Sequence, residues 1–180
     1  TIQQIVGRVT TFVVNLALAR LLVPEDFGTL AVLGIFLAIS AQLADIGFGS
    51  SLTRSERVDD ADLSTIFYYN IGMSSLLYLI LFIAAPWIAE YFRNPILVSV
   101  LRVISLSVVI NSLYGIQAIL IWRQMEFRKD MLIQLASGVL SGLTGIVMAY
   151  FGFGYWSLVG MGLANSIVRL IGYWCSSSWR

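Results

Sequence analysis

Long runs without charge set what this chain can fold into. Residues 27–44, 63–89, 103–122 and 131–168 hold 18, 27, 20 and 38 consecutive positions free of Asp, Glu, Lys and Arg. A helix crossing a bilayer needs about 20 mostly apolar residues, because the hydrocarbon core is about 30 Å thick and an α-helix rises about 1.5 Å per residue. Three of the runs suit one crossing each. The run 131–168 is too long for one and must fold back, and Gly152-Phe153-Gly154-Tyr155 supplies the turn signal. A further apolar stretch, residues 5–23, carries Arg8 and Arg20 separated by 11 uncharged positions. Arg20 sits near its end, where a long basic side chain can snorkel to the interface. The pattern predicts an all-α, polytopic transmembrane bundle of six helices, over residues 2–23, 27–46, 64–90, 96–122, 131–151 and 155–175, in one transmembrane domain over 1–180. Membrane β-barrels are built from short alternating segments instead.

Local signals agree with these ends. Pro24 suits a first helical turn, with Glu25 and Asp26 favourable against the helix dipole, and Asn94-Pro95 repeats the arrangement before the fourth helix. Trp87, Tyr91, Trp122, Tyr155, Trp156 and Trp174 fall near predicted ends, as in an aromatic belt. No basic n-region precedes an apolar core as in a signal peptide. The chain opens and closes inside helical patterning and is expected to be a fragment of a longer protein.

Composition narrows the function classes. Only 12% of the 180 residues are charged, 58% are hydrophobic, and mean hydropathy is +0.85. Soluble domains carry about 25% charged residues. A net charge of +1, no histidine and one cysteine argue against a nucleic-acid binder, a soluble enzyme and a disulfide-stapled domain. No cofactor is expected. There is no metal-ligand cluster, no nucleophile with a histidine base and no Walker-type phosphate loop. Cys175 stands alone and reads as packing. With the N-terminus in the cytoplasm, Arg54, Arg57, Arg123, Arg128, Lys129 and Arg180 fall inside, and only Arg20 and Arg93 fall outside. That bias predicts both ends of the chain to be cytoplasmic.

Polar residues within the spans are the candidates for function, because charge at membrane depth costs about 2.5–3.5 kcal/mol on insertion scales. Gln4, Arg8, Thr11 and Asn15 fall within roughly 60° of one another on a helical wheel. The stripe either lines a hydrophilic cavity or hydrogen-bonds to neighbouring helices. At Arg8, which has no acidic partner in its own helix, the cavity reading leads. Arg102 and Arg169 lie about six residues from helix ends, so cavity lining and interfacial anchoring both stand. Gly162, Asn165 and Arg169 share one face. Asp45 is the acidic residue expected at membrane depth. It precedes Gly47 and Gly49, which can unwind the end of the second helix and serve as a hinge. Asp45 reads either as an ion-coupling group or as a solvated helix-end cap. Gln134, Ser137, Ser141 and Thr144 share a face beside Gly138 and Gly142 and read as close helix packing without a ligand role. Gly47-Phe48-Gly49 and Gly152-Phe153-Gly154 echo one another, as corresponding ends of a three-plus-three inverted repeat would.

Several loop motifs, taken in order, are similar to those of a known family. Ala19-Arg20-Leu21-Leu22-Val23-Pro24-Glu25-Asp26-Phe27-Gly28 resembles the first loop of bacterial polysaccharide flippases of the Wzx type, in the multidrug/oligosaccharidyl-lipid/polysaccharide exporter superfamily. Asp45-Ile46-Gly47-Phe48-Gly49-Ser50-Ser51-Leu52 resembles the end of its second helix. Ala85-Pro86-Trp87-Ile88-Ala89-Glu90-Tyr91-Phe92 with Pro95 resembles the exit of its third. Arg123, Met125, Phe127 and Arg128 resemble its fourth loop, and Gly152-Phe153-Gly154-Tyr155-Trp156-Ser157-Leu158-Val159 its fifth. The resemblance implies one lobe of a two-lobed transporter with a central basic cavity, the second lobe of the same chain being absent here. It implies movement of undecaprenyl-diphosphate-linked oligosaccharide across the bacterial inner membrane by alternating access, for surface polysaccharide. Membrane lipids and the polysaccharide polymerase machinery would be the partners.

The residues themselves fit such a cargo. Arginine presents a fixed fork of donors to a diphosphate, which makes Arg8 the first candidate, with Arg102 and Arg169 behind it. Asn15 is a candidate for sugar hydroxyls. Three other readings compete. An exporter of another cargo, such as a cationic drug or other lipid, needs acidic cavity residues. A membrane-embedded enzyme needs a carboxylate cluster, for which only the loop residues Asp59, Asp60 and Asp62 offer themselves. A non-transporting membrane subunit would tolerate leucine at all three arginines.

Overall fold

The structure is a computed structural model that describes Gly28, residues 34–35 and 38–39, and residues 60–177. Over 60–177 the chain forms five helices: α1 Asp60–Tyr91, α2 Ile96–Ile104, α3 Leu106–Arg123, α4 Phe127–Tyr150 and α5 Tyr155–Ser176. The pair α2–α3 makes one span, so the described residues contain four segments long and apolar enough to cross a membrane: Leu63–Tyr91, Ile96–Arg123, Phe127–Tyr150 and Tyr155–Ser176. These are the last four of the six expected spans. The span expected over 2–23 lies outside the described residues, and that over 27–46 is described only at Gly28 and residues 34–35 and 38–39, all helical, so the structure supports a count of four.

Two helices begin earlier than the charge pattern predicts. α1 starts at Asp60 and not at 64, and α4 starts at Phe127 and not at 131. Charged residues end an apolar run but not a helix: Arg128, Lys129 and Asp130 occupy the first turn of α4, and Lys129 Nζ lies 2.8 Å from Glu126 Oε2. The expected single helix 96–122 is interrupted at Ser105. The Ser105 N–H bonds to Leu101 O at 3.0 Å, and the Val108 N–H returns to Ser105 O at 3.0 Å, a tighter i→i+3 turn. Ser105 and Ser107 also turn their hydroxyls onto the carbonyls of Arg102 (3.2 Å) and Ile104 (2.6 Å), a competition that bends helices. Asn94 starts α2 as expected, its Oδ1 accepting the Ile96 N–H at 3.1 Å.

The three connecting turns close alike. The N–H groups of Asn94, Glu126 and Phe153 reach back five residues to Ala89 O, Ile121 O and Met148 O. The residue before each, Arg93, Met125 or Gly152, reaches back three. This is the Schellman cap, which needs a positive φ at that earlier residue. The φ values are 52°, 54° and 78°. Gly152 adopts this freely, whereas Arg93 and Met125 do so against their own Cβ.

Packing runs in alternating directions. At one end of α1, buried Ala85 and Ala89 let the helix approach Leu97, Val100, Leu101 and Ile104, joined by Val159 of α5. At the other end Leu63 meets Ile116 of α3. α1 is therefore antiparallel to α2–α3. α4 and α5 form an antiparallel hairpin, with Gly172 against Ile133: a Cβ built there would lie 2.9 Å from Ile133 Cγ2. α5 touches all the others. Its Trp174 donates to Leu113 O of α3 at 2.9 Å and meets the Phe67 ring of α1 edge-on at 6.4 Å. Trp174, expected in the aromatic belt, thus ties helices together. Trp87, Tyr91 and Trp122, near helix ends, are exposed as a belt requires, and Cys175, expected to be packed, is exposed.

Candidate functional site in a polar seam

The hairpin of α4 and α5 sets a line of polar side chains along its seam, with Asp130, Ser137, Ser141 and Tyr173 buried, Asn165 and Arg169 half-buried and Gln134 exposed. On α4 the residues are Asp130, Gln134, Ser137 and Ser141, at helical spacing and so on one face. On α5 they are Asn165, Arg169 and Tyr173, also one face. The antiparallel register brings them together in order. Asn165 Nδ2 donates to Ser141 Oγ at 3.3 Å, Arg169 Nε to Ser137 Oγ at 3.4 Å, and Tyr173 Oη to Asp130 Oδ1 at 2.5 Å. The two faces recognised separately in the sequence face each other.

At one end the seam is closed by a carboxylate. Asp130 is 2% exposed, and its second oxygen accepts from Gln134 Nε2 at 2.8 Å. Among the described residues no basic group lies within ion-pair distance of it. A buried carboxylate is very costly without donors, and here a phenol and an amide supply them. Tyr173 in turn stacks on Tyr114 of α3, with centroids 5.2 Å apart and planes 13° apart, and Tyr114 Oη donates to Asn111 Oδ1 at 3.0 Å. The sequence reading gave Asp130 no role, taking it only as the charge bounding an apolar run, with Asp45 as the acidic residue at depth. The face Gln134, Ser137, Ser141 continues back to Asp130 at the same spacing, and that continuation is the signal that would have found it.

Arg169 is half-buried in the middle of the seam. It hydrogen-bonds through Nε alone, and among the described residues no acidic group pairs with it. The edge carrying its two terminal nitrogens is therefore the part of the seam able to take up an anion. The Ser137 hydroxyl, itself donating to Gln134 O at 2.9 Å, fixes the Nε side.

Arg102 has separate partners. It lies on α2 against α1, its Nε donating to Phe82 O at 3.4 Å and its guanidinium carbon 4.3 Å from the Phe82 ring centroid. The other expected site residues, Arg8, Asn15, Asp45, Gly47 and Gly49, lie outside the described residues.

Comparison with known proteins specifies the family to which this helical bundle belongs. Residues 17–180 match the family model described as polysaccharide biosynthesis protein, and the chain belongs to that family. It is 29% identical over 168 residues to the succinoglycan biosynthesis transport protein ExoT of Rhizobium meliloti, covering 93% of this chain and 34% of the relative. It is 28% identical over 168 residues to the lipopolysaccharide biosynthesis protein WzxC of Escherichia coli, covering 91% and 34%. The teichuronic acid biosynthesis protein TuaB of Bacillus subtilis is 28% identical over 97 residues, 54% of this chain and 20% of the relative. The chain thus spans about a third of the length of the curated relatives it matches over most of its own length. No solved structure matches it. These relatives accord with the resemblance read from the loop motifs, and with the four apolar spans they make the chain part of a multi-pass membrane protein.

Proposed function

We propose that this chain is one lobe of an exporter that carries lipid-linked oligosaccharide, joined through a diphosphate to a polyprenyl chain, across the bacterial inner membrane for surface polysaccharide assembly. The reading is one of transport and not of catalysis. The observation that carries it is Arg169: a cation seated in a polar seam, held on its Nε side only, in a chain whose relatives include a polysaccharide transport protein. A diphosphate and a sugar chain cannot enter hydrocarbon unaided, while the polyprenyl tail can stay in lipid. The cargo needs a polar path with fixed donors, and arginine binds phosphate in two-pronged fashion. Arg8 and Arg169 are assigned to the diphosphate and Asn15 to sugar hydroxyls. Asp45, Gly47 and Gly49 are assigned to the moving end of the second span, where access alternates between leaflets. A second lobe of the same chain encloses the path, with both ends of this lobe in the cytoplasm and the polymerisation machinery downstream.

A non-transporting role has one observation in its favour: Asn165–Ser141 and Arg169–Ser137 are cross-helix hydrogen bonds, as packing glue would make. Replacement separates the readings. Cells whose only copy of the gene carries Arg169→Leu or Arg8→Leu, at normal protein level, are expected to lose surface polymer and trap lipid-linked repeat units. Full polymer output from both would leave the arginines to packing and anchoring.

A further inference from the structure

Pro86 interrupts the hydrogen bonding of α1. It has no N–H, so the carbonyl of Phe82, four residues earlier, has no donor in its own helix. In a membrane span such a carbonyl needs a partner from elsewhere. Arg102 of α2 provides it: Nε donates to Phe82 O, and the guanidinium plane covers the Phe82 ring. One side chain therefore grips residue 82 by backbone and by ring. The part of α1 on either side of the break, with Ala85 just before Pro86 and Ala89 beyond it, packs on Leu97, Val100 and Leu101 of the same helix that carries Arg102.

We propose that Arg102 is a positioning residue, a clasp that replaces the hydrogen bond Pro86 deletes and holds the broken end of α1 against α2, and that this is its role in place of cargo binding. Only the export readout below rests on the transporter reading; the stability readout stands without it.

The test is a double-mutant cycle in the full-length protein. Pro86→Ala restores an N–H four residues after Phe82, so the carbonyl regains its own helical partner and Arg102 becomes dispensable there. Arg102→Ala is expected to lower the melting midpoint in detergent by about 2–4 °C and to cut surface polysaccharide several-fold. Both losses are expected to shrink markedly when Pro86→Ala is also present, leaving only the part due to the Phe82 ring, and Arg102→Lys, which keeps a donor and a cation, is expected to recover part of each. Equal losses with and without Pro86→Ala would overturn the proposal and return Arg102 to cargo or lipid contact. If Arg102→Ala fails to accumulate in membranes, Arg102→Met, which keeps the apolar stem, carries the same cycle. If deleting the gene leaves polymer unchanged, the transporter reading falls, and the melting cycle still decides the clasp.

Discussion

At the scale of single residues, Asp130 shows how a charge can be misplaced by counting. It closes the charged segment 123–130 that separates the uncharged runs 103–122 and 131–168, and a charge at such a boundary ordinarily faces water. Its burial depends on Tyr173, 43 residues away in sequence, which no local pattern reveals. The α4 face 134, 137 and 141 was legible, because helical spacing is local. Its extension to Asp130, and the fact that it meets Arg169, depended on the register of a hairpin. Tyr173→Phe removes one of the two donors to Asp130 and should lower stability by about 1–3 kcal/mol, read as a lower melting midpoint. Replacing Asp130 itself by Asn in the same background should recover part of that loss, since a neutral amide is less costly to bury than a carboxylate short of a donor. A Tyr173→Phe protein that melts like the parent would remove Asp130–Tyr173 as a tie between α4 and α5.

At the scale of elements, the four described spans were legible from uncharged runs, because the thickness of the hydrocarbon sets their length. Their starts were not, since α1 and α4 run on through charged residues into the interface. The break at Ser105 was not legible either: it arises from serine hydroxyls and one tighter turn, features too small for a hydropathy pattern. The turn at Gly152 was legible because glycine advertises a positive φ, whereas Arg93 and Met125 adopt one without any such signal. This difference is testable. Met125→Gly should be neutral or stabilising by up to about 1 kcal/mol, and Gly152→Ala should cost about 1 kcal/mol, both measured by thermal unfolding. The hairpin core offers a sharper case. Gly172→Leu would drive a side chain into Ile133 and should cost about 1–3 kcal/mol by overpacking, with relief when Ile133 is cut to Ala. Failure of that pairwise relief would place the hairpin contact elsewhere.

At the scale of the whole molecule, α5 is the hub among the described residues. It packs on α2 near Val159, on α3 and α1 through Trp174, and on α4 along the polar seam. The central claim is export of a lipid-linked oligosaccharide, and the most direct measurement is the leaflet in which that lipid collects. Deleting the gene in its host, then labelling lipid-linked repeat units from the periplasmic side of intact spheroplasts, should show them confined to the cytoplasmic leaflet, with surface polymer lost and both defects reversed by the intact gene. Repeat units reaching the periplasmic leaflet at the normal rate in the deletion strain would contradict the account.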